Sequence, residues 1–495
     1  MRRFRSVAFT LVLTGAVGCG SQAGSPGGGA SGKNVNIPGP GYEEDDVGEG
    51  INARDFNGME PAGAPSLGPD IVCTGAPFSK EVFPGDTNTM VAALSARQAL
   101  SEGRSPLPSS VRAQDFFNYY GMDLGSNTDV PGVPKLVVEA VQRNIPGRWE
   151  VAVAIQAAPV TTDKRKPLML TVVVDLTPSM WGLGLSRVQE SLAAIASNLK
   201  AGDKLQLVTT RPDDVAQTFQ IQGANDPQLI EATDALAIEN DGDLVVALQN
   251  GYEAARDNAS PEAWNRVLVL SAGNAPEDQL PAALISGAAN EEGIFLVAGA
   301  TGSSYGEFQR FLSGASRLGR GPYVYLGVQD SPSELFGARF AEIFGFGIDQ
   351  IKLTLDLPGH ARLLTESPSA PTVTAESVAQ YIGPGAAQLF LFRVTTCTQP
   401  PATDAVGVKV DYVDQNGQPG QVQAKALFSE WDLAPRPVYA KTAAIVAYVD
   451  ALRSMDSMRI GFAQDAIANA LPLVGPADQD ELTSIGALLD LHPAK

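Results

Sequence analysis

Between about residue 166 and residue 345, apolar positions follow two alternating periods. Leu168-Met169-Leu170-Thr171-Val172-Val173-Val174 is a near-continuous apolar, β-branched run of the kind a parallel sheet buries on both faces. Val188, Leu192, Ile195, Ala196 and Leu199 then recur at helical spacing. The exchange continues with strand-like Leu205-Gln206-Leu207-Val208, a helix opened by Asp226-Pro227 and a helix over 244–257. Next come Arg266-Val267-Leu268-Val269-Leu270, a helix around 278–290, and Gly293-Ile294-Phe295-Leu296-Val297. A helix around 307–316, Tyr323-Val324-Tyr325 and a helix around 332–345 complete the segment. This alternation predicts an α/β, Rossmann-like doubly wound domain whose working edge is the loops at the strands' carboxyl ends.

After 346 the period becomes two. Ile351-Lys352-Leu353-Thr354-Leu355 and Leu389-Phe390-Leu391-Phe392-Arg393-Val394 read as strands, and Val406 to Leu427 as a hairpin turning at Asn416-Gly417. From Pro437 the pattern is helical, with Ala443, Ile445, Val446, Tyr448, Val449 and Leu452 on the first of three helices. The chain thus divides into an N-terminal α/β segment (66–165), the doubly wound domain (166–345), a small β domain (346–430) and a helical end (431–495). Phe116, Phe117, Tyr119 and Tyr120 read as the apolar side of one packed helix.

The start of the chain is an address. Arg2, Arg3 and Arg5 precede a short apolar stretch from Val7 to Val17, well below the ~20 residues a spanning helix needs. Residues 1–18 therefore read as a signal peptide. The stretch ends Leu13-Thr14-Gly15-Ala16-Val17-Gly18-Cys19, which resembles the bacterial lipobox. That resemblance implies lipidation of Cys19, which would attach the mature chain to a membrane through acyl chains alone. Residues 19–65, with their Gly-Pro repeats and Glu43-Glu44-Asp45-Asp46, hold too little apolar matter to fold and form a tether. Gly20, where an aspartate would favour inner-membrane retention, leans the location to the outer membrane, facing the periplasm or the cell surface. In that oxidising compartment the two remaining cysteines, Cys73 and Cys397, are expected to pair.

Composition narrows the chemistry. With 35 Lys+Arg against 55 Asp+Glu the net charge is −20, which removes nucleic acid as a partner. Two histidines, His360 and His492, leave little for imidazole or zinc catalysis. No phosphate-binding Gly-Lys-Ser/Thr, dinucleotide glycine motif or Cys-x-x-Cys is present, so no nucleotide or redox cofactor is expected.

The first strand of the doubly wound segment runs into Asp175-Leu176-Thr177-Pro178-Ser179. A carboxylate and two hydroxyls at alternate positions on such a loop can converge on a hard cation such as Mg²⁺. Placed after an apolar strand and before an amphipathic helix, the motif resembles the metal-ion-dependent adhesion site of von Willebrand factor type A domains, with Thr177 in place of a serine. Gly103, Leu107-Pro108, Val111-Arg112 and Asp115–Tyr120 are similar to a segment that precedes this domain in a family of bacterial lipoproteins. The resemblance implies a protein-binding, adhesion-type module or scaffold, without enzymatic activity, that meets a protein partner through its upper loops.

The sequence departs from that family in two places. Gly242, in Glu239-Asn240-Asp241-Gly242-Asp243, stands where the family has a liganding threonine, and Ala272, in Ser271-Ala272-Gly273, stands where it has a second aspartate. The expected site is therefore degenerate: Asp175, Thr177 and Ser179, with Asp241 or Asp243 as substitute carboxylates and Mg²⁺ optional. Two alternatives differ in class. One is an inert envelope scaffold. The other is a serine hydrolase built on Gly302-Ser303-Ser304-Tyr305-Gly306, with Ser304 as nucleophile and His360 downstream.

Overall fold

The computed structural model describes residues 75–495 apart from 83–87, 126–131, 143–146, 212–214, 302–309, 328–330, 366–380, 431–435 and 455. The chain begins with β1 (Phe78–Val82), β2 (Asn88–Thr89), α1 (Val91–Ser101), α2 (Ala113–Tyr119), β3 (Lys135–Gln142) and β4 (Arg148–Gln156). It continues through β5 (Leu168–Val174), α3 (Leu183–Ala196), β6 (Lys204–Thr209), β7 (Gln217–Gln220), α4 (Pro227–Asp234) and α5 (Leu244–Asn258). Then follow β8 (Trp264–Ser271), α6 (Ala282–Glu291), β9 (Ile294–Ala300), α7 (Arg310–Leu318) and β10 (Arg320–Tyr325).

The central sheet has the strand order β2-β10-β9-β8-β5-β6-β7. Its strands are parallel except β7, which turns back along β6. Counted from β5, the order is 3-2-1-4-5-6 with β2 added at the far edge, the arrangement of a doubly wound, Rossmann-like sheet. β8 and β9 are buried at every position, so both faces are covered and the sequence there is apolar without alternation. The order reverses between β5 and β8. This is the topological switch point, where the two crossovers diverge and leave a crevice beyond the strand ends.

The helix expected over 332–345 is broken. Ser331–Ser333 is followed by a π turn at Glu334–Ala338 and then by Phe340–Phe344. Glu334 in that turn is held by Arg97 of α1 at 2.9 Å and by the Tyr119 hydroxyl of α2, so packing against the preceding segment accompanies the irregularity.

The remaining strands, β11 (Ile348–Leu357), β12 (Ala361–Thr365), β13 (Ala387–Thr396), β14 (Ala405–Asp414) and β15 (Pro419–Leu427), do not stand apart as a β unit of their own. They form two four-stranded sheets with strands from before the central sheet, in the orders β1-β11-β14-β15 and β12-β13-β4-β3. The segments 66–165 and 346–430 therefore share sheets, and the doubly wound portion is inserted between them in sequence. Side chains of β13 explain why it reads as continuously apolar. Phe390, Phe392 and Val394 point into the core between the two sheets, whereas Leu389 and Leu391 join the core shared with the helices.

Three helices close the chain: α8 (Pro437–Ser454), α9 (Ser457–Ala470) and α10 (Pro476–Asp490). Phe116, Phe117, Tyr119 and Tyr120 of the α2 segment are buried, and Phe116 meets the α8 residue Tyr448 edge-on with centroids 5.5 Å apart. Among the described residues no helix is long and apolar enough to cross a membrane.

Candidate functional site

The ladder of the central sheet runs one residue past β5. Asp175 N–H donates to Leu270 O at 3.0 Å, and Thr210 N–H donates to Val174 O at 3.1 Å. Asp175 is thereby delivered to the carboxyl edge at the switch point, nearly inaccessible at 2% exposure. Its Oδ1 accepts from Thr177 N–H at 2.9 Å, and its Oδ2 accepts from Ser271 Oγ at 2.7 Å across the crevice and from Ser179 Oγ at 3.5 Å. Thr177 Oγ1 and Ser179 Oγ are 2.8 Å apart. The structure thus brings Asp175, Thr177 and Ser179 together, with Ser271 as a fourth oxygen. Pro178 opens the 3₁₀ turn Pro178–Met180, and Gly182, at φ +75°, supplies the left-handed step into α3.

The neighbouring loop is fastened by Thr210, the residue after β6. Its hydroxyl accepts from Leu176 N–H at 2.9 Å and its carbonyl from Asp243 N–H at 3.3 Å. Glu239 N–H donates to Leu176 O at 2.7 Å. These contacts press Gly242 so close that an added Cβ would lie 2.9 Å from both Thr210 O and Thr210 Oγ1. A hydroxyl-bearing side chain does not fit at 242 without moving the loop. Thr210 carries no motif, and its only sequence signal is a hydroxyl placed directly after a strand.

The two substitute carboxylates have different fates. Asp243 caps α5, its Oδ1 accepting from Val245 N–H at 2.8 Å and Val246 N–H at 3.1 Å, which satisfies orphan donors of the first turn. Asp241 is exposed. Asp243→Ala is expected to cost about 1 kcal/mol, read as a lowered midpoint in chemical denaturation, while Asp243→Ser retains most of the cap.

On the far side of the crevice Ser271 ends β8. Its Oγ donates to Asp175 and accepts from Gly273 N–H at 2.8 Å. Ala272 is buried and brings no side-chain oxygen. What remains is one carboxylate with both oxygens engaged, surrounded by hydroxyls. Among the described residues no group of three or more His, Cys, Asp or Glu is arranged to hold a metal ion. The donor set fits a hydrogen-bonded turn better than a divalent-ion site, because it offers one formal negative charge, and that charge is shared among protein donors.

Exposed apolar side chains stand on the elements that lead from this buried cluster. Trp181 is 74% exposed, Leu183 55%, Val246 47% and, at the β6–β7 connection, Val215 83%. The exposure of Leu183, Val215 and Val246 depends on neighbours that the chain alone does not reveal. Trp181 follows the motif directly.

Ser304 and its glycine-flanked loop lie outside the described residues, as do Cys19 and Cys73. His360 sits on the turn between β11 and β12, with Nδ1 3.3 Å from Asp404 Oδ2. Cys397 follows β13, and the expected pairing with Cys73 lies outside the described residues.

No family model matches the chain, and no curated protein matches it. Solved structures that it resembles include von Willebrand factor type A proteins. A von Willebrand factor type A protein from Catenulispora acidiphila is 15% identical, with 73% of this chain and 91% of that one covered and a TM-score of 0.43. The ArnB paralog VWA2 from Sulfolobus acidocaldarius is 12% identical, with 72% and 96% covered and a TM-score of 0.35. BatB from Bacteroides thetaiotaomicron is 13% identical over 35% of this chain and 97% of its own, with a TM-score of 0.29. The α/β, doubly wound fold rests on this chain's own strand order.

Proposed function

We propose that this protein is a lipid-anchored, extracytoplasmic binding module whose rim loops, 175–181, 239–246 and 271–278, meet a protein partner without a resident metal ion. The observation that carries the reading is the exposure of Trp181, Leu183, Val215 and Val246, each within a few residues of a carboxyl-edge loop or a helix start, beside a switch point whose own polar groups are internally satisfied. A soluble surface rarely gathers large apolar groups without a partner for them. The anchor in this reading is acyl lipid on Cys19 at the outer membrane, with residues 19–65 as tether. A Cys73–Cys397 disulfide would fasten the end of that tether to the β sheets. Its support is local: a Cβ at Gly359 would stand 2.1 Å from Gly75 O, and Cys397 N–H donates to His360 O at 2.9 Å. The chain two residues after Cys73 thus runs beside the turn that Cys397 contacts.

The test is a photo-crosslinking amino acid placed at position 183 in the full chain in its native envelope, with position 458 as an exposed control far along the sequence. A discrete adduct from 183 and none from 458, lost in Trp181→Ala and unchanged by EDTA, is the expected result. Equal adducts from both positions would favour an inert scaffold. An adduct abolished by EDTA and restored by Mg²⁺ would instead return Asp175, Thr177 and Ser179 to the role of metal ligands.

A further inference from the structure

We infer that the rim takes a cationic polypeptide segment bearing a large apolar side chain. This rests on the rim being the binding surface, and it specifies the chemistry of the occupant. Besides buried Asp175, the described charged residues on the rim loops are Glu239, Asp241, Asp243, Glu277 and Asp278, with Arg211 just after β6 and exposed Arg310 opening α7 as the cations nearby in the fold. Arg211 is already committed, its Nε 3.0 Å from Glu239 Oε1. Arg187, further along α3, is buried and paired with Glu190. Asp241, Glu277 and Asp278 are exposed and make no ion pair among the described residues. The Asp175 carboxylate is buried and makes no ion pair among the described residues.

This field inverts the usual logic of an adhesion-type rim. A carboxylate from a partner would approach the like charges of Asp241, Glu277 and Asp278, a juxtaposition that opposes binding. A lysine or arginine would meet exposed opposite charge on two loops, at Asp241 and at Glu277 and Asp278, and its approach would be steered by the acidic potential. Trp181 supplies both an apolar face and a π surface that a guanidinium or ammonium favours, while Leu183 and Val246 offer area for an aliphatic or aromatic anchor. The alternatives carry the wrong sign. A second copy would present the same acidic rim, and an anionic lipid surface would be repelled.

The probes are three short synthetic peptides, added to the full chain at low and high salt and followed by fluorescence anisotropy. One combines Lys and Arg with Trp and Leu, the second replaces every basic residue by Glu, and the third keeps the basic residues without the apolar ones. The first is expected to bind at least about tenfold more tightly than the other two, a difference of about 1.4 kcal/mol, and to weaken with salt. Trp181→Ala and the double variant Asp241→Lys/Asp278→Lys are each expected to lower its affinity about tenfold or more. All three positions are exposed, and unchanged thermal melts would show that the fold is kept. Equal or tighter binding of the acidic peptide, no binding of the first peptide, or affinity indifferent to both variants would overturn the inference. The last of these would mean attraction to the overall charge of −20 alone. If position 183 still crosslinks in the envelope while the basic peptide fails, only the occupant is wrong. If both fail, the rim is not a binding surface.

Discussion

Asp203→Ala is expected to destabilise the central sheet by about 3–5 kcal/mol, the range for removing one partner of a buried ion pair. Asp203 precedes β6 and is 1% exposed; its partner Arg165, just before β5, is 3% exposed. The pairing is two-pronged. Arg165 Nη1 donates to Oδ1 at 2.9 Å and Nη2 donates to Oδ2. The same carboxylate accepts from Leu168 N–H at 2.9 Å and from Lys200 N–H at 2.8 Å. The substitution therefore strands a buried guanidinium and orphans two backbone donors, one at the start of β5 and one in the turn before β6. A small apolar side chain satisfies none of them. Urea titration followed by circular dichroism reads the loss. The double variant Arg165→Met/Asp203→Leu is expected to recover much of it, because removing both charges is far less costly than removing one. A single variant that loses less than about 1 kcal/mol would show the pair to be water-accessible and weak.

The same pair illustrates what the sequence makes legible. Strands β5, β8 and β9 announce themselves because burial on both faces leaves only apolar residues to choose from, and their alternation with helices implies the doubly wound order. Arg165 and Asp203, by contrast, belong to no motif. They meet because two strand starts lie side by side, a fact of pairing that local periodicity does not encode. The β sheets make the point more strongly. The run at 389–394 reads as a strand, yet the neighbour of the strand it forms is β4, with Ala387 opposite Gln156 and Thr395 opposite Arg148. Nothing in either segment names the other, so a linear division assigns them to separate units while backbone hydrogen bonds unite them in one sheet. At the rim, Asp175, Thr177 and Ser179 are legible from their place at the end of an apolar strand, and the losses at Gly242 and Ala272 from comparison with a motif. The commitment of Asp243 to α5 is only half legible. An aspartate before a helix caps it by rule, but it could equally have turned inward until the N–H groups of Val245 and Val246 were seen to claim it.

Glu139→Gln carries the second large effect, with the opposite sign. Glu139 lies on β3 and is 6% exposed. Burial pushes its carboxyl up to about 7, against the pull of N–H donation from Tyr439 and Val438 and of the nearby Arg436 guanidinium. The Tyr439 N–H bond to Oε2 is 2.8 Å, and the Tyr439 hydroxyl at the other end of that side chain donates to Glu150. Because the folded chain holds this proton up to about pH 7 while the unfolded chain releases it near 4.5, the folded state binds more protons across that window. Stability from this group is therefore full below about pH 4.5, falls as the pH rises, and reaches its lower plateau above about pH 7. The interval corresponds to a loss of up to about 3 kcal/mol at 1.36 kcal/mol per pKa unit. Glutamine keeps an acceptor for Tyr439 N–H and never ionises, so the variant is expected to match the wild type near pH 4 and to exceed it above pH 7 by up to that amount. Asp115 and Glu481, whose carboxyls burial also raises, titrate in both proteins and cancel in the difference. Denaturation midpoints of the two proteins, measured from pH 4 to pH 8, give that difference directly. Parallel curves would mean that Glu139 ionises as an exposed carboxylate does, with water reaching β3 beside α8.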